Sequence, residues 1–234
     1  MISTLLINQV KIYFKRLNRF SKVYLKKTKI SGLTFATRIL ILKRHAMYKL
    51  KIITSSVRQG RKGPIITDWV AEQAKKHESF SVEILDLKEI NLPMMDEPNH
   101  PSLQKYEYEH TKRWSATIDD ADAFIFVTAE YDYNYPAPLR NALEYLYKEW
   151  GYKAAGIVSY GGVSAGTRAS NSLKSDLSTF NMVPLSQGVH LPFFTQFIKE
   201  GKLVPDEIME KSLDSLLNEI LRWTKGLKTI KENK

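Results

Sequence analysis

The 234-residue chain contains no cysteine. Disulfides, thiol relays, cysteine nucleophiles, thiolate zinc sites and cysteine-bound iron–sulfur clusters are therefore excluded, and any redox chemistry has to come from a bound organic cofactor. Long apolar runs are missing too, since no stretch approaches the ~20 residues that a bilayer span requires. Acidic residues are absent from one region only. Residues 1–46 hold eleven Lys or Arg and no Asp or Glu, which leaves 24 basic and 25 acidic side chains elsewhere, a formal charge of −1. The formal +10 of the whole chain thus belongs to its first segment, and the remainder has no basic excess for holding a nucleic-acid backbone. That segment also lacks an apolar core followed by a small-residue cleavage site, which argues against secretion.

Two regions are expected: a basic leader, 1–46, and one folded domain, 47–234. Met47 directly precedes the first strand-like run, so the leader reads as dispensable or foreign to the native protein. An organelle-targeting peptide is the alternative, and a basic membrane-surface or nucleic-acid arm the third reading. The folded part is expected to be cytoplasmic.

From Lys49 onward, short apolar runs alternate with amphipathic stretches. Leu50–Ile53 reads as a strand, followed by a polar loop to Gly63 and a helix beginning near Pro64 with Ile65, Ile66, Trp69, Val70 and Ala74 on one face. Val82–Leu87 is a second strand. A Pro- and Asn-rich loop follows, and Ser102 would cap a helix reaching Asp120 with Tyr106, His110, Trp114 and Ile118 on one stripe. Ala123–Val127 has the unbroken apolar character of a central parallel strand. A helix near Pro138 turns Leu139, Ala142, Leu143, Leu146 and Trp150 inward. Ala154–Ser159 is the fourth strand, Thr167–Phe180 a helix, and Val189–Leu191 a short fifth strand. The last helix, Pro205–Leu227, should bury Ile208, Leu213, Leu216, Leu217, Ile220 and Leu221. Repeated strand–helix units predict an α/β fold, a right-handed doubly wound five-stranded parallel sheet with helices on both faces.

Ligands of such sheets bind beyond the carboxyl ends of the strands. Three loops leave those ends. The first, Thr54 to Gly63, offers hydroxyls, Arg58, Arg61, Lys62 and helix-start amides, a combination suited to a phosphate. It contains neither the P-loop nor the dinucleotide fingerprint, and a solvated turn with capping serines is the plain alternative. The second, Ala129 to Pro138, carries Tyr131, Tyr133 and Tyr135 between prolines, a stiff wall for a flat ring or equally for a neighbouring subunit. The third, Ser159 to Gly166, has paired glycines that let the backbone approach a planar ligand.

The third loop also spells G-x-S-x-G at Gly162–Gly166, and Asp176 and His190 follow in the order of a hydrolase triad. The extra Tyr160-Gly161-Gly162 turn between strand and serine spoils the tight elbow that such a nucleophile needs. His45, His77, His100, His110 and His190 have no metal-ligand spacing. Glu144 lies one turn into a helix and reads as a capping or pairing residue.

Taken together, the three loops resemble the NADPH-dependent FMN reductase family, flavodoxin-like quinone and azo reductases. The most specific stretch is Thr128–Trp150, T-A-E-Y-D-Y-N-Y-P-A-P-L-R-N-A-L-E-Y-L-Y-K-E-W, with Val158–Gly162, V-S-Y-G-G, after it. Ser55-Ser56-Val57-Arg58 stands where the family has G-S-x-R, and Ala129-Glu130-Tyr131-Asp132 where it has P-x-Y-N. The resemblance implies FMN as cofactor and NADPH or NADH as hydride donor. It puts the FMN phosphate on Ser56 and Arg58, with Arg61 and Lys62 next, and the ring between Glu130, Tyr131, Asp132 and Tyr133 on one side and Tyr160, Gly161 and Gly162 on the other. It further implies a quinone or similar small acceptor, no individually indispensable acid or base, and a homodimer or homotetramer. An FMN-binding carrier or regulator without useful turnover is the runner-up.

Overall fold

A computed structural model describes residues 47–233; the expectations for residues 1–46 lie outside the described residues. Five parallel strands form one sheet in the order β2-β1-β3-β4-β5: β1 Tyr48–Thr54, β2 Phe80–Asp86, β3 Ala123–Ala129, β4 Ala154–Tyr160 and β5 Val183–Leu191. Helix α1 (Gly63–Lys76) connects β1 to β2. The one-turn α2 (Leu87–Ile90), a long loop and α3 (Glu109–Asp119) connect β2 to β3. Then α4 (Ala137–Glu144) and α5 (Thr167–Thr179) lead to β4 and β5, and α6 (Glu207–Glu232) closes the fold. The chain reverses its direction of strand addition between β1 and β3, which opens a crevice at their carboxyl ends.

Period-two alternation sorts the core into two layers. Leu50, Ile52, Ile125, Val127 and Val158 face α1 and α6, where Ile66, Val70, Leu213, Leu216 and Ile220 complete one cluster. Ile53, Phe124, Phe126 and Ile157 face the other side, against Trp114, Ile118, Leu139, Leu143, Trp150 and Leu173. All seven residues of β3 are buried, as a strand covered on both faces requires. Each such aliphatic or aromatic side chain contributes ~1.5–3 kcal/mol through the surface it removes from water. Helix α6 sits so close on β4 that a Cβ at Gly156 would lie 2.9 Å from Ile220 and 3.0 Å from Leu216.

Three expectations are corrected. The helix predicted from Ser102 to Asp120 begins only at Glu109. Before it, Pro101–Leu103 form a single 3-10 turn, capped by the His100 ring and ended by Gln104 at φ 55°. The amides of Glu107 and Tyr108 bond instead to the Glu97 carboxylate, at 2.9 and 3.0 Å, and Tyr106 reaches across to Glu149 at 2.8 Å. The fifth strand is far longer than Val189–Leu191. It starts at Val183, contains Pro184, and shifts register opposite Ala155–Ile157; an edge strand tolerates the loss of the amide donor at Pro184. Ile208 was expected to be buried but is 75% exposed. The carboxylate of Asp206 caps the Met209 amide at 2.8 Å, a geometry that turns Met209 inward and Ile208 out. A small hairpin, β6 (Ile198–Lys199) with β7 (Lys202–Leu203), was not anticipated.

Candidate functional site

The loop after β1 runs into the start of α1, and that helix supplies no side-chain cap of its own: Lys62 occupies the cap position in a helical conformation, with Pro64 in the first turn. The first-turn amides are therefore left for an outside acceptor, and the helix dipole favours an anion there. Arg58 and Lys62 are exposed beside them, and neither has a carboxylate partner among the described residues. Ser55 is fully buried with its Oγ unpartnered among the described residues. Its place beside the uncapped helix start makes that hydroxyl available to a ligand atom.

Arg61 is differently employed. It makes a two-pronged ion pair with Asp86 at the end of β2, at 2.5 and 2.7 Å, and also donates to the Ser56 carbonyl at 2.7 Å. Its hydrogen bonds to the Asp86 carboxylate make the guanidinium hold its proton more tightly than usual. Its geometry is that of a brace tying the loop to the neighbouring strand.

The second loop is a tight turn. Tyr131 and Asn134 exchange both backbone hydrogen bonds, at 2.8 and 2.9 Å, while Asp132 and Tyr133 lie at φ 49° and 69°. Two consecutive left-handed residues make a type I′ turn, which costs roughly 1–2 kcal/mol for each side chain bearing a Cβ. Tyr131 is folded back toward the first loop: its hydroxyl is 2.7 Å from Ser56 Oγ, and the Arg58 guanidinium lies 5.5 Å from its ring centre. Tyr133 instead faces solvent, under the guanidinium of Arg168 at 4.2 Å.

In the third loop, Gly162 is exposed, and a Cβ there would meet nothing within 4 Å. A Cβ at Gly161 would stand 3.1 Å from the Gly166 amide nitrogen and 3.7 Å from Glu130 Cβ, so that glycine serves the loop's own packing. Tyr160 is 4% exposed, with Phe194 edge-on at 4.9 Å. Its hydroxyl takes up the space where a Cβ of Gly63 would otherwise sit, only 2.9 Å away. Burial pushes that phenol well above its ordinary value, so it stays protonated and acts as a packed strut beneath α1.

Glu130 ties the second and third loops together. Its carboxylate accepts from Ser164 Oγ at 2.8 Å, from Arg168 Nη1 at 2.9 Å and from the Arg168 amide at 3.1 Å. Helix α5 has only Gly166 at its cap position and no side-chain cap from its own loop, so Glu130 supplies one from another part of the chain. Burial pushes its carboxyl up, but the Ser164 hydroxyl, the Arg168 side chain and the helix amides outweigh burial and leave it below the usual carboxylate range.

Sequence reasoning did not place Ser55, Ser164 or Arg168 at the site, although Ser55 stands in the first loop, Ser164 in the third and Arg168 in the first turn of the helix after it.

The would-be triad is dispersed. Ser164 is bound to Glu130, His190 Nδ1 is 2.7 Å from Ser159 Oγ, and Asp176 pairs with Arg140 at 2.7 Å and with the Tyr135 hydroxyl. None of the three members contacts another, so the arrangement lacks the serine–imidazole and imidazole–carboxylate bonds of a nucleophilic triad. Among the described residues, no group of three or more His, Asp or Glu could hold a metal ion. No helix among them is long and apolar enough to cross a membrane.

Residues 48–196 match the model of the NADPH-dependent FMN reductase family. Over 124 residues the chain is 46% identical to an NAD(P)H-dependent FMN reductase of Schizosaccharomyces pombe, a match covering 52% of this chain and 62% of that one. A probable NADPH:quinone oxidoreductase of Oryza sativa subsp. japonica is 30% identical over 146 residues, covering 58% and 68%. Among solved structures, a flavoenzyme NAD(P)H:(acceptor) oxidoreductase of Paracoccus denitrificans shares the fold, with a TM-score of 0.60 at 21% identity over 77% of this chain and 98% of that one.

Proposed function

The chain belongs to the NADPH-dependent FMN reductase family, and from that premise we propose that it is an FMN-dependent NAD(P)H oxidoreductase that passes hydride to quinones or similar small acceptors. The observation that carries the reading is the first loop. There a buried, unpartnered Ser55 hydroxyl, an uncapped helix start and two cations without a carboxylate partner among the described residues meet at the switch point of the sheet.

The residues fit the group. Ser55, Ser56, Arg58, Lys62 and the first amides of α1 would hold the phosphate. The turn Tyr131–Tyr133 and the open face at Gly162 would flank the ring, where the missing side chain leaves room for a flat surface to approach the backbone. Bound FMN would supply the chemistry, taking reducing equivalents from the nicotinamide and yielding them to the acceptor. The protein's own part is positional. Arg61 fixes the first loop to β2 through Asp86, Tyr131 joins that loop to the second through Ser56, and Tyr160 and Phe194 support the floor. Quinone as acceptor is suggested by the rice relative's name. A homodimer or homotetramer and a cytoplasmic location complete the proposal.

Purified protein loaded with FMN should be yellow, bleach on anaerobic addition of NADPH or NADH, and recover its colour when a quinone is added. Protein that takes up no FMN would defeat the reading. Yellow protein untouched by both nicotinamides would point to an electron carrier instead.

A further inference from the structure

Resting on the FMN reading above, we propose that Glu130 is a positioning residue: its carboxylate sets the gap between the two ring-flanking loops by clamping the turn after β3 to the glycine turn and to the start of α5.

The sequence placed Glu130 among the cofactor's direct contacts, but its geometry points inward. The side chain is 9% exposed. A carboxylate has about four acceptor positions, and three are taken by Ser164 Oγ, Arg168 Nη1 and the Arg168 amide. Its backbone extends the sheet by one more bond, the Glu130 amide donating to the Tyr160 carbonyl at 3.2 Å. Glu130 therefore sits on the seam where the second and third loops leave the sheet, and a Cβ at Gly161 would lie 3.7 Å from its own Cβ. Two residues further along, the chain enters the left-handed pair Asp132–Tyr133.

Such a turn persists only where its surroundings hold it. Here the hold comes through Arg168. Glu130 fixes that guanidinium at 2.9 Å, and the same guanidinium covers the Tyr133 ring at 4.2 Å. Without the carboxylate, the start of α5 loses its cap, the Ser164 hydroxyl loses its acceptor, and Arg168 is released from Tyr133. Every one of these consequences falls on the ring side of the site. The phosphate side has a brace of its own, Asp86 through Arg61, besides the contacts of Ser56 and Arg58 with Tyr131 that link the two loops.

That separation gives the test. Apo-protein is titrated with FMN and with riboflavin, which lacks the phosphate, and flavin fluorescence quenching is followed. Glu130→Gln conserves volume but removes the charge that caps α5 and pairs with Arg168. It should weaken FMN and riboflavin by the same factor, fivefold or more, leaving the ratio of the two dissociation constants within twofold of the parent. Arg168→Met should reproduce at least a threefold loss for both ligands, and combining it with Glu130→Gln should add less than twofold. Melting of each apo-variant establishes that it is folded, and Glu130→Gln answers the question even if Glu130→Ala does not fold. The proposal is overturned if Glu130→Gln binds riboflavin like the parent, if its loss is confined to FMN, or if Arg168→Met has no effect. A parent that binds neither flavin would overturn the FMN reading itself, a result separable from all of these.

Discussion

The two edges of the sheet treat charge differently. At the amino edge, lysines are satisfied by the protein: Lys51 meets Glu83 at 2.7 Å, Lys228 meets Asp122 at 2.9 Å, and Lys49 pairs with Asp120. Lys153 is buried there and donates to the Ile118 and Asp119 carbonyls at the end of α3. At the carboxyl edge Arg61 and Arg168 are paired with Asp86 and Glu130, but Arg58 and Lys62 have no carboxylate partner among the described residues, and Ser55 Oγ is orphaned. Charges consumed inside the fold stabilise it. Charges and amides left over are what a ligand would complete. The contrast predicts that changes at the amino edge alter stability and spare flavin binding, with the reverse at the carboxyl edge.

The largest effect should come from Lys153→Met. Burial, with Lys231 adding repulsion and Asp119, Asp122 and Glu149 opposing it, pulls the ammonium down to about 7. The folded state therefore gives up this proton more readily than the unfolded chain, whose lysine titrates near ~10.4. Below about pH 7 the burial of the charge is borne in full, and stability rises from there toward pH 10 as the neutral amine takes over. In urea unfolding, the parent should gain about 1–2 kcal/mol between pH 7 and 9, and Lys153→Met should show no such gain. At pH 9 the variant should be about 2–4 kcal/mol less stable than the parent, since two helix-end carbonyls lose their donor. FMN affinity should stay within twofold. A large affinity loss without a stability loss would erase the division between the edges.

Next in size is Arg58→Ala. A charge-assisted contact contributes on the order of 1.5–3 kcal/mol, so FMN should bind roughly ten- to a hundredfold more weakly. Riboflavin should be unaffected and the melting temperature nearly unchanged. Equal weakening of both flavins would take Arg58 off the phosphate.

Gly162 and Gly161 sharpen the comparison within one loop. A side chain at Gly162 meets open space in the apo-protein, so Gly162→Val should leave melting unchanged and weaken both flavins about tenfold by occupying the ring's approach. At Gly161 the first added carbon already presses on Gly166 and nears Glu130. There, melting and affinity should fall together. If Gly162→Val binds flavin normally, the ring does not lie along that turn.

Much of this was legible in the sequence, for identifiable reasons. Ala123–Val127 reads as a central strand because both its faces are covered, and Pro64 and Pro138 announce helix starts by fixing φ where no amide bond is needed. The loops' residue types announced a ligand edge. What stayed hidden were choices made by distant partners. Glu97 and Glu149, not local propensity, decide that Tyr106 lies outside α3. Arg61 reads as a phosphate ligand until Asp86 is seen beside it. Glu130 reads as a ring contact because nothing in A-E-Y-D reveals that α5, 38 residues on, lacks a cap of its own.

Ser164→Ala should have the smallest effect, and it distinguishes the flavin site from the hydrolase that G-x-S-x-G imitates. In a hydrolase this serine would be the nucleophile, and its loss would cost several orders of magnitude in rate. Here its hydroxyl donates to Glu130, and His190 is engaged with Ser159 instead. The alanine variant removes one of three bonds to that carboxylate and leaves both contacts from Arg168 in place. NADPH-dependent quinone reduction should therefore fall no more than about threefold, in line with one hydrogen bond to a charged group that keeps its other donors. Hydrolysis of a simple ester should be indistinguishable from background in parent and variant alike. Ester turnover that vanished with Ser164 would revive the hydrolase. Loss of all reductase activity with FMN still bound would give this hydroxyl a role in hydride transfer that its bond to Glu130 does not provide.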